Sequence, residues 1–154
     1  MYLVRGRTTL TEATADDAIW QVWNPHPTQR VRVIAWAMCA QGGTLDQGWS
    51  SRLRRTSARG TATSTVTLTA EHHGRRGVAP PSGVLLDLRI FTVQPTLLAG
   101  DLAGFLVSEI QGAAVVSGPT DVVEIPPGTG LAMIQTAVTS AVQFEVTVAL
   151  EEDG

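Results

Sequence analysis

Residues 141–151 alternate one for one, with Val142, Phe144, Val146, Val148 and Leu150 on one side and Gln143, Glu145, Thr147 and Glu151 on the other. A period of two is the mark of a strand, because successive side chains leave a pleated backbone on opposite faces. One apolar and one wet face is what an antiparallel sheet provides. The period returns over residues 61–70, where Thr61, Thr63, Thr65, Thr67 and Thr69 oppose Ala62, Ser64, Val66, Leu68 and Ala70. Residues 31–39 and 84–93 are more continuously apolar and predict central strands, the second with Asp87 and Arg89 on its polar side. Residues 18–24 predict a shorter strand that ends at the breaker Asn24-Pro25-His26-Pro27.

Weaker strand signals lie at 113–116, 122–125 and 131–136, and Pro126-Pro127-Gly128-Thr129-Gly130 separates the last two. Proline fixes φ and glycine supplies positive φ, so this string predicts a turn that pairs the flanking runs as a hairpin. The two glycines within residues 97–106 predict one short helical turn at most. Residues 41–51 and 71–83 read as irregular segments, the second as an exposed loop crossing between sheets. Eight or so short strands with regular turn signals predict an all-β fold, an antiparallel β-sandwich of jelly-roll or Greek-key type. A chain of 154 residues suits one domain. The expected organisation is an extended, polar, Thr-rich N-terminal arm over residues 1–17 and a single sandwich over 18–154.

Charge is divided along the chain. All 11 basic residues are Arg and the last is Arg89, so residues 1–89 set 11 arginines against 6 acids for +5, while residues 90–154 carry −8 of the total −3. Arg52, Arg54, Arg55, Arg59, Arg75 and Arg76 crowd into one stretch opposed only by Glu71. With Trp49 beside them they suggest nucleic acid, since a guanidinium grips phosphate bidentately and an indole stacks on a base. The acidic chain and an aromatic fraction of 5% argue against that use. Arginine is also the preferred cation of interface ion pairs, so the acidic half of an identical neighbour is the better partner. Asp121 and Glu124, flanking the Pro-Gly turn, read as charged surface and not as a catalytic pair. Trp20 and Trp36, within apolar strands, are expected in the core, and Trp23 and Trp49 at a contact surface. A charged fraction of 16%, below the usual ~25%, leaves much neutral surface for contact.

No chemistry is spelled out by spacing. His72 and His73 are adjacent and would leave a strand on opposite faces, Gly128-Thr129-Gly130 lacks the lysine of a phosphate loop, and no Gly-x-Ser-x-Gly elbow occurs. Cys39, the only cysteine, lies in an apolar run and is expected as a buried thiol. The expectation is therefore no enzyme, no metal and no cofactor. The start of the chain lacks a secretory signal and no window approaches the ~18 apolar residues of a membrane span, so synthesis in a cytoplasm without membrane insertion is expected.

The Pro-Pro-Gly turn is similar to turns in dUTPases and cupins, without the nucleotide signatures of the first or the metal-binding histidines of the second. The string Gln143-Phe144-Glu145-Val146-Thr147-Val148-Ala149-Leu150-Glu151-Glu152, fed by Pro126-Pro127-Gly128-Thr129-Gly130, resembles the virion structural proteins of tailed bacteriophages, and among them jelly-roll capsid-decorating, or cement, proteins. The resemblance covers the C-terminal third and the general texture of the rest. It implies a homotrimer or homodimer on the outside of an icosahedral head, bound to the major capsid protein and clamping neighbouring capsomers. The contact residues expected are Trp23, Trp49, Arg52, Arg54, Arg55, Arg59, Arg75 and Arg76, with Asp121 and Glu124 as acidic counterparts. A tail, baseplate or receptor-binding component is the first alternative, and a nucleic-acid module using Arg52 to Arg76 the second.

Overall fold

The alternation that predicts the last strand sorts it as expected: Phe144, Val146, Val148 and Leu150 are buried, while Gln143, Glu145, Thr147 and Ala149 are half-buried on the other face. A computed structural model of the protein describes residues 1–8, 11–13, 16–43, 49–68, 83–107, 115–118, 123–136 and 139–152. Among them the chain is all-β: β1 Tyr2–Arg7, β2 Thr11–Ala13, β3 Ala18–Asn24, β4 Val31–Gly43, β5 Trp49–Ala58, β6 Thr61–Thr67, β7 Leu85–Val93, β8 Thr96–Val107, β9 Val115–Gly118, β10 Val123–Ile125, β11 Thr129–Gln135 and β12 Thr139–Glu152. They form two antiparallel sheets packed as a sandwich. The first has the order β1-β12-β4-β10, with β2 also on β12 and β9 also on β4; the second has the order β6-β7-β3-β11-β5-β8.

The main core lies between the sheets. Tyr2, Val4, Val33, Trp36, Met38, Val146 and Val148 meet Trp20, Val22, Leu53, Leu86, Leu88, Leu131 and Met133. Trp20 and Trp36 face each other across it with ring centroids 5.9 Å apart and planes tilted by 52°, as the sequence predicts. The expected N-terminal arm is instead a strand over its first part: Tyr2 pairs Leu150, Val4 pairs Val148 and Arg7 pairs Glu145. The reason is a short period of two, which places Tyr2 and Val4 inside at 5% and 0% exposure.

One long ribbon organises the second sheet. The run β5–β6 pairs antiparallel with β8–β7 from Trp49↔Val107 through Ala58↔Thr96 to Thr61↔Val93 and Thr67↔Leu85. It bends at residues 59–60 and 94–95. At one end β7 pairs β3, at the other β5 pairs β11, and β3 pairs β11 between them. The bend therefore passes over the outward face of the β3–β11 pair and closes a second, small core of Ala18, Phe91, Ala132 and Ile134, with Ala62 and Leu97 against it. A Cβ on Gly60, at the bend, would stand 2.7 Å from the Val93 oxygen and 2.8 Å from Phe91 Cδ1.

Four local expectations are corrected. Residues 97–106 are part of β8, a bulged strand and not a helical turn. The strands that flank the segment 71–83, β6 and β7, are neighbours in one sheet and not members of opposite sheets; residues 69–82 lie outside the described residues. Both ends of the segment 41–51 are strand, since β4 runs to Gly43 and β5 starts at Trp49; residues 44–48 lie outside the described residues. The Pro-Gly turn makes an arch: β10 pairs β4 in the first sheet, while β11 pairs β3 and β5 in the second. Asn24 ties the arch down, its amide donating to the Gln29 and Ile125 oxygens at 2.9 and 3.2 Å, and the Gly128 N–H, at φ +65°, donates to the Asn24 carbonyl at 2.9 Å. Turn chemistry fixes a reversal of direction, and the free strand edges on either side decide what pairs with what.

Candidate functional site

The divided charge is resolved inside the molecule. Antiparallel pairing sets N-terminal strands against C-terminal ones, so Arg7 falls opposite Glu145, Arg32 opposite Glu124 and Arg54 opposite Asp101. Each of these carboxylates then collects two arginines. Glu145 receives Arg5 at 3.4 Å and Arg7 at 3.6 Å; Glu124 receives Arg30 at 3.0 Å and Arg32 at 3.9 Å; Asp101 receives Arg52 at 3.5 Å and Arg54 at 3.3 Å. These are surface pairs, each contributing roughly 0–1 kcal/mol. Two cations per anion leave every cluster net positive.

The arginine stretch is dispersed by the fold. Arg52 and Arg54 point outward from the second sheet to Asp101 on β8. Arg55 alternates to the other side, and its Nη1 donates to the Glu124 carbonyl, bridging from β5 to β10 in the opposite sheet. Arg59, on the bend of the ribbon, turns back over the sheet. Its Nε and Nη2 donate to Asp87 Oδ2 and Oδ1 at 2.8 and 2.7 Å, and Thr65 Oγ1 donates to Oδ1 at 2.6 Å. The hydrogen bonds to Asp87 hold the Arg59 guanidinium above its ordinary pKa, with burial pulling the other way and the Asp87 charge adding to the rise. Arg75 and Arg76 lie outside the described residues, as does Asp121.

Asp87 and Arg89 are expected on a wet face, yet both are buried, at 0% and 5% exposure. They do face away from Leu86 and Leu88, but the folded-over ribbon covers that side. Gln21 beneath it is spent the same way: its amide donates to Thr56 Oγ1 at 2.7 Å, and its oxygen accepts from the Gly60 N–H at 2.9 Å. Burial lowers the pKa of Arg89, and Asp17 opposes the shift.

The remaining expectations divide. Trp23 is half-buried on β3, opposite Gly130. Trp49 is the first residue of β5 and not part of a loop; its side chain lies outside the description. Cys39 is half-buried on the outward face of β4, opposite Glu145, and not a core thiol. The strand β6 exposes Thr61, Thr63, Thr65 and Thr67 as the alternation predicts, with Ala62 and Val66 half-buried between them, and its pairing with β7 shifts register on either side of Ala62.

Sequence reasoning missed the apolar surface of β8. Between its pairings to Thr56 and Arg54, β8 passes from Leu97 to Asp101, so residues 98–100 bulge outward with Gly100 at φ +90°. Arg54 Nη2 donates to the Leu98 carbonyl at 2.9 Å while its Nε reaches Asp101, bracketing the bulge. Leu98 and Leu102 stand out at 41% and 44% exposure on either side of Asp101. Two leucines flanking Gly100-Asp101 were the available signal. Leu3 and Val93 are also exposed, at 48% and 59%. No protein-family model matches the chain, and no curated protein matches it in sequence.

Proposed function

We propose that the protein is a non-enzymatic virion structural protein, a decoration protein that sits on the outside of a tailed-phage head and attaches through the β8 bulge. The observation that carries this reading is the pair of Leu98, exposed on a bulge that Arg54 holds in shape, and Leu102, exposed just beyond it. Burying each leucine at a contact contributes about 1.5–3 kcal/mol, and the rigid bracket reduces the entropy lost on binding. Asp101 with Arg52 and Arg54 supplies a polar surround of the kind that shields such anchors from water. A contact this small suits a shell protein, because avidity over many copies compensates for weak single attachments.

The polar groups favour structure over chemistry. Glu124 is held between Arg30 and Arg32, and Asp87 is closed off by Arg59 and Thr65. The commitment of Arg52, Arg54, Arg55 and Arg59 to partners within the chain weighs against nucleic acid. The finer fold description we propose is a jelly roll, since that fold is wound from one long antiparallel ribbon.

The test is co-sedimentation with empty shells assembled from the major capsid protein encoded with this chain. Wild type is expected in the pellet, and Leu98→Asp with Leu102→Asp should lower occupancy at least about tenfold, the equivalent of 1.4 kcal/mol, with an unchanged melting temperature. Wild type that stays in the supernatant, or a double variant that pellets equally, overturns the proposal.

A further inference from the structure

We propose that the connection between β3 and β4, residues 25–30, is a pH-operated latch, closed by the neutral imidazole of His26 and opened when that ring takes a proton. The inference is independent of shell attachment, which uses β8. Proline leaves the connection short of donors, since Pro25 and Pro27 have no backbone N–H. Side chains take three of the donors that remain. Asn24 Oδ1 accepts from the His26 N–H at 3.1 Å, while His26 Nδ1 accepts from the Gln29 N–H at 2.8 Å and from the Thr28 N–H at 3.2 Å. Gln29 is thereby gripped on both sides, because its carbonyl accepts from Asn24 Nδ2 at 2.9 Å. The same Asn24 amide donates to the Ile125 carbonyl of the arch, and Arg30, directly after Gln29, donates to Glu124 at 3.0 Å.

The chemistry of Nδ1 makes the latch sensitive to acid. A neutral ring with its proton on Nε2 offers one lone pair at Nδ1, and that lone pair serves both amides. An imidazolium has a donor at each nitrogen, so its Nδ1–H meets two N–H groups and the contact turns from attraction to repulsion. Among the described residues no carboxylate pairs with His26 to offset this. On β10, Glu124 is engaged by Arg30 and Arg32, and Arg55 from β5 donates to its carbonyl. At the end of β12, Glu151 stands opposite Arg32 and Glu152 lies beside Tyr2. Pro25 lies against Gly83, and the first charged residue after Gly83 is Asp87, which is bound to Arg59. The proton therefore goes to the open connection, and closure that is present at neutral pH is lost as the pH falls through the histidine range. Opening releases Gln29 and, with it, the fixed approach of Arg30 to Glu124.

The experiment follows the Thr28 and Gln29 amides of the full chain by proton–nitrogen NMR from about pH 7.5 to about pH 5.5, on either side of the ordinary imidazole range. Both amide signals are expected to move in step with the His26 ring signals. Protection of the Gln29 amide from hydrogen exchange, relative to its intrinsic rate, should fall about tenfold, the size of effect for one lost hydrogen bond. His26→Asn supplies an oxygen that accepts from the amides two and three residues on and does not titrate, so it should keep both amides protected across the range. His26→Ala should leave them unprotected throughout, with its fold checked by circular dichroism. His72, His73 and every carboxylate remain in His26→Asn, so a pH response that persists in that chain comes from another group and overturns the proposal. Wild-type amides that stay protected once the His26 ring is charged overturn it too, as does a folded His26→Ala chain with wild-type protection at the higher pH.

Discussion

Gly60 shows how a single side chain can decide whether the ribbon closes. Its backbone passes between Val93 and Pro95 and above Phe91, and the three atoms nearest an added methyl group would all lie within 2.9 Å of it. Two of these are backbone atoms, which cannot rotate aside. Gly6 also lacks room, but there the nearest neighbour is the end of the Leu88 side chain, which can rotate away. Gly104 on β8 has nothing within 4 Å. Gly60→Ala should therefore destabilise by about 1–3 kcal/mol or more, as overpacking does. Gly104→Ala should be neutral or stabilise by up to about 1 kcal/mol through the unfolded chain. Urea denaturation of the two variants checks the contrast, and equal midpoints would show that the bend is not packed as described.

Among the elements, the ribbon explains both what is legible in the sequence and what is not. Period and composition are enough to find β3, β4, β7 and β12 and to place Trp20 and Trp36 inside, because those signals are local. The arch at Pro126 to Gly130 reads as a hairpin because the same turn residues serve both, and only the pairing of β10 with β4 distinguishes them. Asp87 reads as a surface acid for a similar reason: the sequence identifies its face, but not the chain that covers it. That covering makes a prediction. Asp87 is fully buried and Arg59 is about a third exposed, with side-chain values of 0% and 37%. Removing the arginine strands a buried carboxylate on Thr65 alone, and breaking such a pair costs about 3–5 kcal/mol. Arg59→Met with Asp87→Leu, which removes both charges, should be markedly more stable than Arg59→Met by itself. Chemical denaturation of the single and double variants measures the difference, and additive losses would refute the account.

At the scale of the whole molecule, the divided charge is the imprint of its topology. Strands from the two ends of the chain are neighbours, so arginines from one end and carboxylates from the other meet across the ladders. The sequence displays the imbalance, but the pairing is non-local and only the fold reveals it. The closure of the first strand on the last also sets a sharp test. If residues 1–8 were an arm, deleting them would leave the sandwich intact. Here the deletion takes Tyr2 and Val4 from the core, at about 1.5–3 kcal/mol each. It also removes Thr8, which accepts from Gln143 Nε2 and caps the Phe144 N–H, both at 2.9 Å. The burial loss alone approaches the roughly 5–15 kcal/mol that holds a domain together. A bare β12 edge would add a template for aggregation. Chains lacking residues 1–8 should melt far below the full chain or lose a cooperative transition altogether, as followed by circular dichroism, whereas an unchanged melting curve would restore the arm and remove β1 from the fold.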